Sequence, residues 1–316
     1  MVSRLFSGAE HAALYSHFRP SPPKELVSRI ISYVKEKIRP PLSHALDVGC
    51  GSGQSTRVLT PYFEKVTGID TSVAQIDEAV KKEKSNKSEY KVAYAENVPL
   101  RNESVQLVSA SQCAHWLNLD VFFKEVHRLL VPGGVVALYG YLFTEPVVQG
   151  KQEAVHSLLW DWLYREQLSQ GYWAPQRVLL DNCFRDIILP FSDTVRVEDI
   201  ILKRRDLFSN YLGYIITWSG FRELQKQKPE LAPQILQEFE SRLLHILQLS
   251  GSQVSYYEST LLSSQVSYYE STLLSSQVSY YESTLPGSQV SYHESTLLGS
   301  HLATSTRSIS RASLCD

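Results

Sequence analysis

The chain has 316 residues, of which 43% are hydrophobic and 20% charged, a composition typical of a globular protein with a sizeable core. Its 31 Lys and Arg residues nearly balance its 33 Asp and Glu residues, which argues against nucleic acid or an anionic membrane as partner. The four cysteines show no CxxC spacing, and no apolar run approaches the roughly 20 residues of a bilayer span. We therefore expect a cytoplasmic protein without a metal site.

Helix and strand patterns alternate through the first 250 residues. Residues 24–38 place Leu26, Ile30, Val34 and Ile38 on one stripe, which predicts an amphipathic helix. Further helices are predicted at 54–64, 73–84, 120–130 and 232–249, and strands at 44–49, 65–70, 90–95, 105–111 and 135–143. A Pro-Gly-Gly turn precedes the last of these strands. This alternation predicts an α/β fold with a doubly wound, mostly parallel sheet.

The first predicted strand ends in a glycine-rich loop. Gly49, Gly51 and Gly53 follow Asp47 at alternate positions, which suits a strand-to-helix turn whose backbone lies close to a ligand. A dinucleotide-binding loop has the spacing GxGxxG, and from Gly51 its third glycine would fall on Thr56. The loop therefore fits a nicotinamide-dependent oxidoreductase poorly.

The run Asp47-x-Gly49-x-Gly51-x-Gly53, with Asp70 at the end of the second strand, resembles motif I of the class I S-adenosylmethionine-dependent methyltransferases. The resemblance implies a Rossmann-like fold and S-adenosylmethionine as cofactor. A carboxylate at Asp70 can accept hydrogen bonds from both ribose hydroxyls. Asp47 lies where the family orients the methionine ammonium group. The cofactor-binding residues that the resemblance implies are Asp47, Gly49, Cys50, Gly51, Gly53, Asp70, Thr71, Ala95, Glu96 and Gln112.

Two later segments extend this resemblance. "YAENVPL" at 94–100 looks like the segment that carries the adenine contacts, here Ala95 and Glu96. "SVQLVSASQCAHW" at 104–116 looks like the fourth-strand motif, except that Gln106 stands where the family usually has Asp. An amide lacks the carboxylate's charge, so we expect a weaker local hydrogen bond there.

Three other segments resemble the group of trans-aconitate methyltransferase and methyltransferase type 11. These are "YSHFRPSPP" at 15–23, "GYWAPQRVLLDNCF" at 171–184 and "YIITWSGF" at 214–221. Ser21-Pro22 replaces the group's usual Tyr-Pro, so one aromatic contact is absent. The resemblance implies a helical lid inserted after strand five. It also implies a small-molecule substrate that contacts Tyr15, Arg19, Trp116 and Trp218.

The chemistry implied is an in-line methyl transfer in which the protein supplies proximity, orientation and exclusion of water. A carboxylate acceptor needs no general base and would be held by a cation such as Arg19, which could instead hold the cofactor's own carboxylate. A hydroxyl or amine acceptor needs a base, for which His115 is the candidate. The alternative function is a non-catalytic binding or scaffold protein on a methyltransferase fold. The sequence leaves the oligomeric state open.

From residue 252 a 12-residue unit, "SQVSYYESTLLS", recurs in four copies up to residue 299. A 12-residue period rotates a helical stripe at every copy, but it keeps the same faces in a strand. Either the first copy docks antiparallel beside strand five as the last strand, with the chain disordered from Ser264 onward, or all copies are disordered. We therefore divide the chain into a methyltransferase domain (1–250) and low-complexity repeats with a Ser-rich tail (251–316), largely disordered.

Overall fold

The computed structural model describes residues 8–148, 150–191, 193–248 and 258–272. The first half alternates helices and strands in the predicted order. Its helices are α1 (Ala9–Phe18), α2 (Lys24–Lys37), α3 (Gln54–Leu59), α4 (Val73–Lys82) and α5 (Leu119–Leu129). Its strands are β1 (His44–Val48), β2 (Lys65–Asp70), β3 (Ser88–Val92), β4 (Val105–Ser111) and β5 (Leu130–Tyr141).

The second half is mainly helical. It contains β6 (Glu145–Pro146), α6 (Gln152–His156) running on into a π-helical stretch (Ser157–Leu168), α7 (Val178–Asp181), β7 (Asp193–Leu207), α8 (Phe208–Ile216), α9 (Ser219–Gln227), α10 (Leu231–Leu247) and β8 (Glu258–Thr272). None of the described helices is both long and apolar enough to cross a bilayer. The described residues also contain no cluster of three or more His, Cys, Asp or Glu side chains that could hold a metal ion.

The strands form one sheet in the order β3-β2-β1-β4-β5-β8-β6, and β7 also pairs with β8. The first five strands of this order are mutually parallel. Strand residues alternate between two cores: Val136 and Leu138 of β5 pack with α5, whereas Val135 and Ala137 pack with α2. Helices therefore cover both faces of the sheet, which confirms the doubly wound α/β fold.

Two sequence patterns can be compared directly with the elements that they form, the apolar stripe of α2 and the Pro-Gly-Gly segment. Leu26, Ile30 and Val34 are at most 1% exposed, so the stripe of α2 faces the sheet as its spacing predicts. The predicted Pro-Gly-Gly turn instead lies inside β5. There the pairing of β4 with β5 shifts register between Leu130 and Val135, and Gly133 has a φ of 77°. The turn residues therefore form a bulge in a continuous strand.

The helices after β5 have a core of their own. Tyr211 and Phe239 belong to a cluster of buried side chains contributed mainly by the π-helical stretch and by α8, α9 and α10. Phe143, in the segment between β5 and β6, packs in the same cluster. This cluster shares no fully buried residue with the two cores of the sheet. The helical insertion expected after strand five is thus present, and its action as a lid stays a prediction.

β8 occupies part of the repeat region. Residues 266–272 pair antiparallel with Tyr141–Val135 of β5, and the strand as a whole pairs with β7. The residues beside β5 come from the second copy of the repeat, so the assignment of the first copy to that position, with disorder from Ser264, is wrong. The alternative prediction, in which all four copies are disordered, also differs from the structure, because residues 258–272 pair with β5 and β7. Residues 251–257 and 273–316 of the predicted tail lie outside the described residues, and the domain division at residue 250 stays a prediction.

Candidate functional site

Two cavities adjoin at the carboxyl ends of the parallel strands, where open α/β sheets bind ligands. The larger, which we call the large cavity, has a volume of about 320 Å³. The ends of four strands and the loops after them supply most of its wall, and Tyr15 of α1 adds to it. Its predicted wall residues are Tyr15, Gly49, Gly51, Asp70, Thr71, Ala95, Glu96, Gln112 and Trp116.

The three loop glycines differ in what surrounds them. A Cβ at Gly49 would lie 2.7 Å from the Cβ of Cys113, and one at Gly53 would lie 2.6 Å from Arg57. A Cβ at Gly51, in contrast, would meet nothing closer than 3.8 Å and would lie between Gln75 and Tyr15 on the cavity wall. Gly51 is therefore the glycine whose missing side chain leaves room for a ligand, whereas the other two permit close packing.

Asp70, at the end of β2, connects the glycine loop to the start of α4 through two hydrogen bonds. Its Oδ2 accepts a hydrogen bond from the Gly51 amide at 3.0 Å, and its Oδ1 accepts one from the Ser72 amide at 2.8 Å. Ser72 caps α4 through the Gln75 amide, so the cap does not require the Asp70 side chain. Burial raises the pKa of Asp70, against the lowering effect of these amides. The carboxylate thus lies on the wall of the large cavity with its orientation fixed.

Three predicted cofactor contacts lie behind the wall. Of the residues that the structure describes, Asp47, Cys50 and Gly53 line neither cavity. Asp47 is fully buried, and its Oδ2 accepts hydrogen bonds from the hydroxyls of Ser55 (2.6 Å) and Thr56 (2.7 Å). Burial raises its pKa to about 6, although these hydroxyls oppose the rise. Asp47 fixes the start of α3 through these bonds, and its Oδ1 has no hydrogen-bond partner among the described residues. The contacts of these three residues with a cofactor, which for Asp47 could be direct or through water, stay predictions.

Gln75 on α4 is a wall residue that the sequence reasoning missed. It is 2% exposed, lines the large cavity, and its Oε1 has no hydrogen-bond partner within the described part of the chain. A buried polar atom without a partner is costly, so a ligand that donates a hydrogen bond here would be stabilised. Its sequence context, an ordinary amphipathic helix, gives no signal of this role.

The second cavity, which we call the small cavity, has a volume of about 40 Å³. It shares Tyr15, Gln112 and Trp116 with the large cavity, so these three residues mark the junction. Gln112 is held there with a φ of 55° while its Nε2 donates to the carbonyl of Tyr141 at 2.8 Å. Burial raises the pKa of Tyr15 to about 12, so the phenol at the junction is protonated at neutral pH.

Arg19 directly follows α1, and its side chain lines the small cavity. Its Nε and Nη2 donate to the side chain and carbonyl of Thr217, at 2.9 and 3.0 Å. Its guanidinium carbon lies 4.8 Å from the ring centre of Tyr15 and 5.2 Å from that of Tyr214. These contacts fix the guanidinium at the cavity wall without a carboxylate partner among the described residues.

His115 and Arg177 complete the polar part of this wall. His115 is 5% exposed, and burial followed by the positive charge of Arg177 lowers its pKa to about 3. The imidazole is therefore neutral at pH 7. Arg177 was not predicted as a site residue, although it lies inside the segment 171–184 that resembles the family.

Two further predictions are changed by the geometry. Trp218 does not line either cavity: it is 1% exposed and stacks on Phe143 with ring centres 3.8 Å apart, so it belongs to the helical core. Gln106 lies at the start of β4, at the opposite end of that strand from the cavities. Its Oε1 accepts hydrogen bonds from the amides of Ser43 and His44, so the amide oxygen serves as the local acceptor. The replacement of the family's usual Asp by Gln106 therefore does not change the wall of either cavity.

Comparisons with known proteins agree with this geometry. The family model described as "Methyltransferase domain" matches residues 46–138. A Dictyostelium discoideum protein named "Putative methyltransferase" is 36% identical over 207 residues, which is 66% of this chain and 74% of that protein. Trans-aconitate 2-methyltransferase of Paracidovorax citrulli is 31% identical over 58% of this chain and 69% of its own length. Three further curated relatives match over only 36% to 46% of their own lengths.

The solved structure of a "Putative Type II Methyltransferase" from Anaeromyxobacter dehalogenans superposes with a TM-score of 0.62 and 28% identity. The match covers 81% of this chain and 99% of that one. The sheet, the glycine loop after β1 and the acid at the end of β2 thus occur in a chain whose sequence is similar to those of known methyltransferases. S-adenosylmethionine is the cofactor of such proteins, and the open Gly51 and the oriented Asp70 suit it. The chain belongs to the class I S-adenosylmethionine-dependent methyltransferases.

Proposed function

We propose that the protein transfers the methyl group of S-adenosylmethionine to a carboxylate of a small molecule bound in the small cavity. The observation that carries this proposal is Arg19, a guanidinium on that cavity's wall without an ion-pair partner among the described residues. Because arginine is permanently charged, such a site favours an anionic ligand. Arg19 lines the small cavity rather than the large one, which favours the acceptor's carboxylate over that of the cofactor.

The low pKa of His115, the base candidate that the sequence offered, supports the same choice. A hydroxyl or amine acceptor must lose a proton, and a general base works best with a pKa near the working pH. The pKa of His115 is lowered to about 3 by burial and by Arg177, so this imidazole is a weak base. A carboxylate is already deprotonated at neutral pH and needs none. The predicted role of His115 as base is therefore disfavoured.

The bound cofactor would supply a methyl group already activated on a sulfonium. The carboxylate oxygen forms the new bond to this methyl group, the bond between methyl and sulfur breaks, and its electron pair stays on sulfur, so that no proton moves. Gly51, Asp70 and Gln75 would hold the cofactor in the large cavity. Tyr15 and Trp116 at the junction would align the two reactants and exclude water.

The test is methyl transfer from labelled S-adenosylmethionine, with the purified protein, to panels of small carboxylic acids, alcohols and amines. We expect labelled product with acids only, and we expect it to release labelled methanol in alkali, as a methyl ester does. Bulk protein and RNA serve as negative acceptors. Products that resist alkali would contradict a carboxylate acceptor.

Arg19→Gln tests the residue that carries the proposal. We expect kcat/KM for the best acid to fall at least 30-fold while the affinity for S-adenosylhomocysteine stays within threefold. Arg165→Gln, which removes an exposed arginine paired with Asp161, is the matched control and should change neither value. A loss of S-adenosylhomocysteine affinity in Arg19→Gln would assign Arg19 to the cofactor's carboxylate instead. No observation on the described residues favours the scaffold alternative.

A further inference from the structure

The place of β8 in the sheet is a slot with a paired strand on each side, which we call the strand slot. Tyr141–Val135 of β5 and the short strand β6 form one side, and they pair with residues 266–272 and 261–262. β7 forms the other side and pairs with β8 from end to end. A segment that fills the strand slot therefore exchanges backbone hydrogen bonds with both sides.

Two segments of the chain have the sequence that this slot accepts. Residues 270–284 repeat residues 258–272 without a change. Moving the chain by 12 residues would therefore bring the same amino acid to every position of the strand slot. Because 12 is an even number, every residue would also keep its face of the sheet. β5, β6 and β7 would meet identical partners in both arrangements.

A shift by a further copy in either direction is disfavoured. Toward the amino terminus the slot would need residues 246–260, which begin inside α10. Toward the carboxyl terminus it would take residues 282–296 and bring Pro286 to the position of Leu262, which lies between β6 and β7. Proline has no N–H to donate in a strand that is paired on both sides. Two segments therefore remain, 258–272 and 270–284.

We propose that residues 270–284 are a second occupant of the strand slot, so that the protein exchanges between two strand registers 12 residues apart. In the register that the structure shows, which we call the first register, ten residues (248–257) connect α10 to β8. In the second register the connection has 22 residues (248–269). Loop-closure entropy grows only slowly with length, and this difference favours the first register by about threefold. About a quarter of the molecules therefore hold residues 270–284 in the slot.

Proline substitutions in the full-length protein separate the two registers, because proline cannot donate a hydrogen bond to a neighbouring strand. Tyr268 pairs with Tyr139 of β5 and with Val197 of β7, so Tyr268→Pro blocks the first register. In the second register residue 268 belongs to the connection, and Tyr280 takes its place in the slot. Tyr268→Pro therefore leaves the second register intact, and Tyr280→Pro leaves the first intact.

We expect Tyr268→Pro to lower the melting temperature by at most about 4 °C, because the second register remains, and Tyr280→Pro to lower it less. The double variant should melt at least about 4 °C below Tyr268→Pro. Tyr256→Pro changes the same residue of the first copy, outside both registers, and is the matched control that should melt like the wild-type protein. If Tyr268→Pro melts as low as the double variant, residues 258–272 are the sole occupant and the proposal is overturned. A double variant that melts like the wild-type protein would overturn it too, because the slot would then need neither segment.

Fluorine-19 spectroscopy tests the exchange without destabilising the protein. A fluorotyrosine at position 268 should give two resonances in a ratio of about 3 to 1, one for the strand slot and one for the connection. At position 280 the resonance of the slot should be the minor one, and Tyr280→Pro should leave position 268 with a single resonance. A single resonance at position 268 in the otherwise wild-type protein would overturn the proposal.

Discussion

Asp70→Asn tests how the large cavity holds its cofactor. We propose that Asp70 accepts hydrogen bonds from both ribose hydroxyls while its oxygens also accept from the amides of Gly51 and Ser72. A hydrogen bond to a charged group contributes about 1.5–3 kcal/mol and a neutral one about 0.5–1.5 kcal/mol. Loss of charge at two such bonds therefore costs about 2–3 kcal/mol, or about 30- to 140-fold in affinity. Calorimetric titration with S-adenosylhomocysteine measures this directly.

Two controls separate binding from folding. Glu89→Gln removes a carboxylate on the neighbouring strand that pairs with Lys65 and Lys91 and does not line the large cavity, so its affinity should stay within twofold of wild type. The 2′,3′-dideoxy analogue of S-adenosylhomocysteine should bind the wild-type protein much more weakly than the parent, and Asp70→Asn should distinguish the two far less. A folded Asp70→Asn protein that binds within threefold of wild type and keeps the full discrimination would refute this reasoning.

Three further predictions follow from the loop, the buried acid and the last strand. Gly51→Ala should lower S-adenosylhomocysteine affinity at least tenfold in a folded protein, because its Cβ enters the cavity from a φ of 53°, whereas Gly49→Ala should mainly lower the melting temperature through its contact with Cys113. Relative to wild type, Asp47→Asn should gain about 3 kcal/mol of stability between low pH and pH 8, at 1.36 kcal/mol per pKa unit between 3.8 and about 6. Below pH 4 this gain should vanish, because a carboxyl whose pKa is raised in the folded state destabilises the protein only as the pH rises and the group ionises. A difference in melting temperature between variant and wild type that is the same at both pH values would contradict a raised pKa for Asp47. A chain ending at Ser263 should melt at least about 4 °C below one ending at Ser276, because only the latter keeps the residues that pair with β5; equal melting temperatures would show that β8 adds no stability.

The sequence predicts the five parallel strands well because each has a local signal, whereas the short β6 and the long strand β7 were not predicted. The apolar stripe of α2 and the apolar run of β1 are readable from residue spacing alone, and both lie where predicted. The Pro-Gly-Gly segment is different: its local pattern is that of a turn, yet pairing with β4 on either side keeps it within a strand. That pairing joins residues far apart in sequence, which no local pattern records.

The site residues fall into the same two groups, those with a local sequence signal and those placed only by tertiary packing. Asp70 and Gly51 lie on the cavity wall because loops after parallel strands meet at one edge of the sheet. Trp218 could not be placed in this way, because its position depends on how the helices after β5 pack on one another. Gln75 was missed for the same reason, since its pattern is that of an ordinary helical residue and only the tertiary structure shows which face borders a cavity. Arg177 lies just before α7 in a segment that resembles the family, but the segment alone does not show that this side chain borders a cavity.

The composition of β8 gives the sheet an unusual tolerance to changes in the gene. The 15 residues from 258 to 272 recur without a single change at 270–284. Removal of residues 258–269 would therefore leave the same amino acids at every position of the strand, with the same parity relative to β5 and the same distance from α10. An in-frame loss of one repeat copy would be silent for this strand, whereas the loss of an odd number of residues would exchange its two faces.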